Sequence, residues 1–226
     1  PYSYFGYDGA PNSNYVIATL AGGKREYQGL EITLQKFKSN NWQGMLSYTY
    51  NDAHGNTNSD SNADFQGDWL AIDPRAPNMW GRQPGNIEHQ FKAFGSYEFD
   101  FGLELSAVFN WNSGLIYSRS QLISGRYLPV MGDEYEYDGV FDTWVLPGSI
   151  GAETGPSYYT LDVRAKYVKP LQVGQLEFFV DVFNILNKQS ATSHMALVDG
   201  NGVYNFGQAN DWVEPRRAYL GVRYSF

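Results

Sequence analysis

The feature that most constrains this chain is a two-residue alternation of apolar and polar side chains that recurs along nearly its whole length. From Trp42 to Asn51, Trp42, Leu46, Tyr48 and Tyr50 alternate with Gln43, Met45, Ser47 and Thr49. From His89 to Phe101, Phe91, Ala93, Tyr97 and Phe99 alternate with Gln90, Lys92, Ser96 and Glu98. Leu103 to Asn112, Tyr159 to Tyr167, Leu176 to Val182 and Arg217 to Phe226 repeat the pattern. A period of two puts successive side chains on opposite faces of a strand, so each segment reads as a β-strand with one apolar and one polar face. Weaker strands near 14–21 and 25–37 bring the expected number to roughly eight, each ~8–15 residues long.

Alternation alone fits a soluble sandwich as well as a membrane barrel; the lengths of the connections separate them. Short connections fall at 38–41, 100–102 and 169–174, and long polar ones at 51–85, 118–156 and 189–214, strictly in turn. Only the short turn at 21–24 lies on the long-loop side. Short turns at one rim and long loops at the other are the layout of an outer-membrane barrel. The charge divides the same way. The formal net charge is −8, yet the long loops hold 14 acidic residues against four basic ones, Arg75, Arg82, Arg119 and Arg126. The expected fold is therefore all-β, a transmembrane antiparallel up-and-down barrel with long extracellular loops. Polar strand positions would face a lumen, and apolar and aromatic ones would face lipid, with Tyr and Trp forming belts near the strand ends.

The composition removes other classes of function. There is no cysteine, which excludes disulfide scaffolds, thiolate metal sites and thiol nucleophiles. No basic surplus exists to neutralise phosphates, so nucleic acid is not an expected partner. No apolar run approaches the ~18 residues of a spanning helix. His54, His89 and His194 sit in no ligand or triad spacing, and no phosphate loop or catalytic triad is visible, so no enzyme is expected.

The last eight residues, YLGVRYSF, carry Tyr219, Gly221, Tyr224 and the terminal Phe226. They resemble the C-terminal signal read by the barrel-assembly machinery of Gram-negative outer membranes. The blocks REYQGLEITLQKF (25–37), NWQGMLSYTYND (41–52), RQPGNIEHQFKAFGSYEF (82–99), YYTLDVRAKYVKPL (158–171), LEFFVDVFNILNK (176–188) and EPRRAYLGVRYSF (214–226) resemble the C-terminal part of TonB-dependent receptors, specifically the Oar-like group. The resemblance covers most of 14–226, and the blocks at 176–188 and 214–226 are the more specific. It implies that residues 1–226 are the C-terminal portion, about eight strands, of a 22-stranded barrel in a Gram-negative outer membrane. The plug that fills such a barrel is not in this chain. The implied function is gated transport of a large substrate. The implied partners are outer-membrane lipid and lipopolysaccharide, the remaining strands and plug, TonB acting through the plug, and the assembly machinery. The competing readings are a self-contained eight-stranded barrel with a structural or adhesive role, and a soluble carbohydrate-binding sandwich.

Three clusters are candidates for contacts. Asp162, Arg164, Lys166, Glu177 and Asp181 fall on polar strand positions, where they would either hold a plug or pair with neighbouring strands as an ion-pair ladder. Asn56, Asn58, Asp60, Asn62, Asp64 and Asp68 offer oxygen donors for Ca²⁺, but an EF-hand loop needs Gly at position 6 and Glu at position 12. Ser61 and Gly67 stand there. A solvated turn-rich loop is the favoured reading, Asp60, Asp64 and Asp68 remain weak calcium candidates, and no cofactor is expected. Tyr135, Tyr137 and Trp144 beside the carboxylates of the second long loop, with Trp69 and Trp80 in the first, would stack on a ligand or pack on neighbouring loops. His54 is expected to be a surface imidazole without a partner.

Overall fold

The computed structural model describes residues 22–56, 79–124, 141–146 and 148–226. The strand expected near 14–21 lies outside them. In order, the strands are β1 (Arg25–Ser39), β2 (Trp42–Gly55), β3 (Gly81–Arg82), β4 (His89–Glu98), β5 (Leu103–Asn112), β6 (Ile116–Tyr117) and β7 (Ser120–Ser124). There follow β8 (Phe141–Val145), β9 (Glu153–Thr154), β10 (Tyr158–Pro170), β11 (Gln175–Phe183), β12 (Ala191–His194), β13 (Ala209–Trp212) and β14 (Arg217–Ser225). The long strands form one antiparallel sheet in the order β1-β2-β4-β5-β10-β11-β14, with β3 beside the upper end of β2. β1 and β14 stand at opposite ends of it and do not pair with each other.

Three tight turns close one rim, each built by residues able to adopt positive φ. Asn40 (φ 51°) and Asn41 (φ 67°) join β1 to β2, and this pair of left-handed residues matches the twist of a two-residue hairpin. Gly102 (φ 92°) closes β4–β5 and Gly174 (φ 75°) closes β10–β11. At Gly174 a Cβ would lie 2.1 Å from the Ser225 carbonyl oxygen, so the turn packs on the last strand in a way only glycine allows. By the layout of outer-membrane barrels this short-turn rim is periplasmic.

Register carries the alternation of single strands into two continuous faces. Leu34, Leu46, Ala93, Phe109 and Leu161 lie in one row across five strands, and Val180, Leu220, Phe178 and Val222 extend the same face over β11 and β14. On this face Leu220 is 82% and Val222 65% exposed. The buried apolar residues among those described, Met79, Ile116, Ile150 and Met195, all lie in the long connections. A sheet with this much uncovered apolar surface needs a nonpolar surrounding.

The ends of this face are aromatic. Trp42, Tyr97, Tyr167 and Tyr224 mark the short-turn rim, and Tyr48, Tyr50, Phe91, Phe109, Trp111 and Tyr159 the other. Tyr159 and Tyr167 are separated by about 27 Å of strand, or about 20 Å of height at barrel tilt. That is close to the apolar band of outer-membrane barrels. Lys36, on the same face, folds its ammonium back over Trp42 (4.0 Å from the ring centroid) and donates to the carbonyls of Ser39 (2.7 Å) and Trp42 (3.0 Å). Its stem stays in the apolar layer and its charge returns to the rim.

The long connections are not plain loops. The pairs β6–β9, β7–β8 and β12–β13 form three small two-stranded sheets. β2 also runs to Gly55, four residues beyond the alternating stretch in the sequence.

Candidate functional site

The polar face is the side able to contact a plug or a solute, and it is built as cross-strand ion pairs. Register sets Arg164 opposite Asp181, Lys166 opposite Glu104, and Glu177 opposite Arg223. Arg164 Nε lies 3.2 Å from Asp181 Oδ1, Lys166 Nζ 2.6 Å from Glu104 Oε2, and Arg223 Nη1 3.7 Å from Glu177 Oε1. Lys38 pairs with Glu98 at the rim. Of the five sequence candidates, Arg164, Lys166, Glu177 and Asp181 are thus joined in a ladder along the periplasmic half of the wall. Their partners Glu104 and Arg223 become visible only once the register is known. The extracellular half of the face carries Thr49, Gln90, Lys92, Asn110 and Thr160. Lys92 has no carboxylate in ion-pair range among the described residues.

Asp162 does something else. Its Oδ1 accepts the backbone N–H of Asn184 at 2.7 Å. Asn184 is 4% exposed and left-handed (φ 47°). Its Nδ2 donates to the carbonyls of Glu214 (2.8 Å) and Lys188 (3.2 Å), and its Oδ1 accepts from the Lys188 N–H (3.2 Å). Asn187, also left-handed (φ 50°), accepts the Arg216 N–H through its side chain at 3.0 Å. The FNILNK segment is a clasp that ties the extracellular ends of β10, β11 and β14 together.

The terminal strand shows why a glycine stands at 221. Its Cβ would lie 2.1 Å from the Phe179 ring. Phe179 lies across Gly221 on the polar face, and the Arg164 guanidinium covers that ring at 4.6 Å. An aromatic shielding a cross-strand glycine is a recognised device for pinning register. Tyr219 shares this face and meets Phe183 edge-on at 5.8 Å. Tyr224 and Phe226 lie together on the apolar face, their centroids 5.8 Å apart, and Tyr224 Oη donates to the Val173 carbonyl (2.9 Å).

Above the sheet the long connections pack on one another. Arg82 donates to the Gly151 carbonyl (2.8 Å) and to Thr154 (3.1 Å), and pairs with Glu88 (3.2 Å). Arg119 Nε bonds Glu153 at 2.7 Å, beside Tyr117, which stacks on His194 at 5.7 Å and meets Phe206 at 6.4 Å. Burial, more than the nearby Glu153 charge, pushes the Tyr117 hydroxyl above the usual phenol range. The sequence does not reveal this cluster, because Tyr117, Glu153 and His194 come from strands of two to four residues and Arg119 and Phe206 from the connections beside strands, where no periodicity shows.

His54 is not a lone imidazole: its Nδ1 lies 2.8 Å from Asp52 Oδ1 and its ring stacks on Trp80 at 6.4 Å. The sequence missed this pair because β2 was expected to end before it. Trp80, 5.4 Å from the Lys24 ammonium, stands with His54 at the extracellular end of β2. The calcium candidates Asp60, Asp64 and Asp68, and Trp69, Tyr135 and Tyr137, lie outside the described residues, as does the side chain of Trp144. Among the described residues no three carboxylates or imidazoles cluster as a metal site would require.

No protein-family model matches the chain. The TonB-dependent transporter Oar of Myxococcus xanthus is 26% identical over 252 residues, spanning 89% of this chain and 22% of that protein. Two solved barrels share the fold. The outer-membrane transporter YddB from Escherichia coli has a TM-score of 0.51 at 14% identity, covering 89% of this chain and 25% of that one. The ferripyoverdine receptor of the outer membrane of Pseudomonas aeruginosa, solved with ferripyoverdine bound, has a TM-score of 0.50 at 14% identity, covering 97% and 22%. The chain is similar in sequence and fold to a segment of TonB-dependent receptor barrels. The two solved barrels are outer-membrane proteins, and the proteins matched are transporters and receptors. The chain spans only 22% of the length of its curated relative.

Proposed function

We propose that this chain is the C-terminal part of the wall of a TonB-dependent transporter that moves a large substrate across the outer membrane. The observation that carries the reading is the open sheet with one apolar, girdled face and one ion-paired face. Among the described residues β14 is paired on one side only, so its backbone donors and acceptors need a further strand within the bilayer. The size of the relatives counts against a self-contained eight-stranded barrel, since the chain spans 22% of the length of its curated relative; the strand near 14–21 that would close such a barrel lies outside the described residues. In the intact transporter a plug would rest on the polar face and couple to TonB, and the acidic loops would form the outer mouth. Tyr219, Gly221, Tyr224 and Phe226 would serve as the signal for barrel assembly.

The test is the denatured mass of the polypeptide that carries this sequence in outer membranes. A mass several times 25.5 kDa is expected of a plugged single-chain transporter. A mass near that value overturns the reading.

A further inference from the structure

The apolar face is not uniform. Between the row Trp42–Tyr97–Leu105 and the row Leu46–Ala93 runs a groove of about 870 Å³, floored by Gly44, Gly95 and Ala107 and closed at its β10 end by Val163. It crosses four strands, about 14 Å at ordinary strand spacing. Its volume lies within the range of pockets that hold small ligands.

Gly95 makes the groove, and the backbone gives no reason for it. Its φ is not among the positive ones, and the nearest atom to an added Cβ is the Gln43 carbonyl oxygen at 4.0 Å. A larger side chain would fit there and strengthen the strand, since glycine inside a strand weakens it and often marks a close approach by another molecule. Gly44 differs: its Cβ would lie 3.2 Å from the Phe94 carbonyl oxygen.

One end of the groove carries charge. Lys36 lies at its β1 edge on the periplasmic rim, and the acceptors around its ammonium are the neutral oxygens of Phe37, Ser39 and Trp42. No carboxylate pairs with it among the described residues. Lys169 occupies the same face and rim, opposite Leu176. The outward rim therefore joins an apolar trough to uncompensated positive charge. Its position between the aromatic girdles and beside the short turns sets it at the inner leaflet.

We propose that this groove seats one anionic phospholipid of the inner leaflet, an acyl chain lying over Gly95 and the phosphate against Lys36. The inference rests on the barrel-wall reading for its orientation. The test is native mass spectrometry of the intact barrel released from detergent with dipalmitoyl phosphatidylglycerol added. One lipid is expected to survive activation that strips all others. Gly95→Leu, which fills the trough, should lower the retained fraction at least tenfold. Lys36→Gln should lower it severalfold for phosphatidylglycerol and leave phosphatidylcholine unchanged. Ser96→Ala, on the opposite face, should retain the lipid, and heat-modifiable migration on gels shows which variants are folded. Unchanged retention by folded Gly95→Leu overturns the proposal, as does equal retention of phosphatidylcholine, preference for lipid A, or a co-purifying protein displaced by Gly95→Leu. A failure of the underlying wall reading appears separately, as water rather than lipid contact of a spin label at position 95.

Discussion

Asn184 offers the sharpest test of how the wall is fastened at its extracellular end. Asn184→Ala removes three side-chain hydrogen bonds, two to carbonyls and one from the Lys188 N–H, in a side chain that is 4% exposed. At about 1 kcal/mol each, these contribute roughly 3 kcal/mol. Alanine must also hold φ 47°, at about 1 kcal/mol more, so the total is about 4 kcal/mol. Asn184→Gly loses the same bonds without the left-handed penalty and should fall about 1 kcal/mol short of the alanine variant. Asp162→Ala withdraws the carboxylate from the Asn184 N–H and should cost about 2 kcal/mol, the value of a hydrogen bond to a charged group. Since both act on one corner, the double variant should cost less than the sum of the two. The assay is urea unfolding of the intact barrel in lipid vesicles, followed by tryptophan fluorescence. A loss below 1 kcal/mol for Asn184→Ala, or full additivity with Asp162→Ala, would refute the clasp.

Gly221→Ala forces the Phe179 ring aside and should cost about 1–3 kcal/mol, the usual range for overpacking; Phe179→Ala in the same chain should recover most of it in the same unfolding assay. Lys166→Gln should cost about 1 kcal/mol, as one member of a half-buried pair, and that loss should vanish in a Glu104→Gln background when the double-mutant cycle is measured. Arg82→Ala frees Gly151, Thr154 and Glu88, so limited proteolysis should cut near 146–157 faster while the unfolding midpoint of the wall is unchanged.

Much of the wall was legible because its physics is local. Each long strand is lined by a two-residue period, and Asn40, Asn41, Gly102 and Gly174 mark turns that a reader of composition can find. The face assigned to Phe91, Ala93 and Tyr97 is the face they occupy. What the sequence hid depends on register. Glu104 and Arg223 are ordinary polar positions until β5 and β14 are slid against their neighbours, and only then do they complete pairs with Lys166 and Glu177. Asp162 reads like Arg164 by alternation, yet it caps a corner instead of joining the ladder, because β11 ends just where Asn184 turns back. Gly221 reads as part of a terminal signal, and its contact with Phe179 is a matter of cross-strand position. The cluster around Tyr117 was invisible for a different reason: two residues of β6 carry no period.

The account stands on one claim, that the odd-numbered residues of β10 face lipid and the even-numbered ones face the lumen. The segment contains no cysteine, so single cysteines placed from 159 to 168 in the intact barrel can each carry a nitroxide. The measurement is the ratio of oxygen to nickel-chelate accessibility in lipid vesicles. The account predicts a period of two, with high oxygen access at 159, 161, 163, 165 and 167 and low oxygen access at 160, 162, 164, 166 and 168. A flat profile, or one of opposite phase, would contradict it.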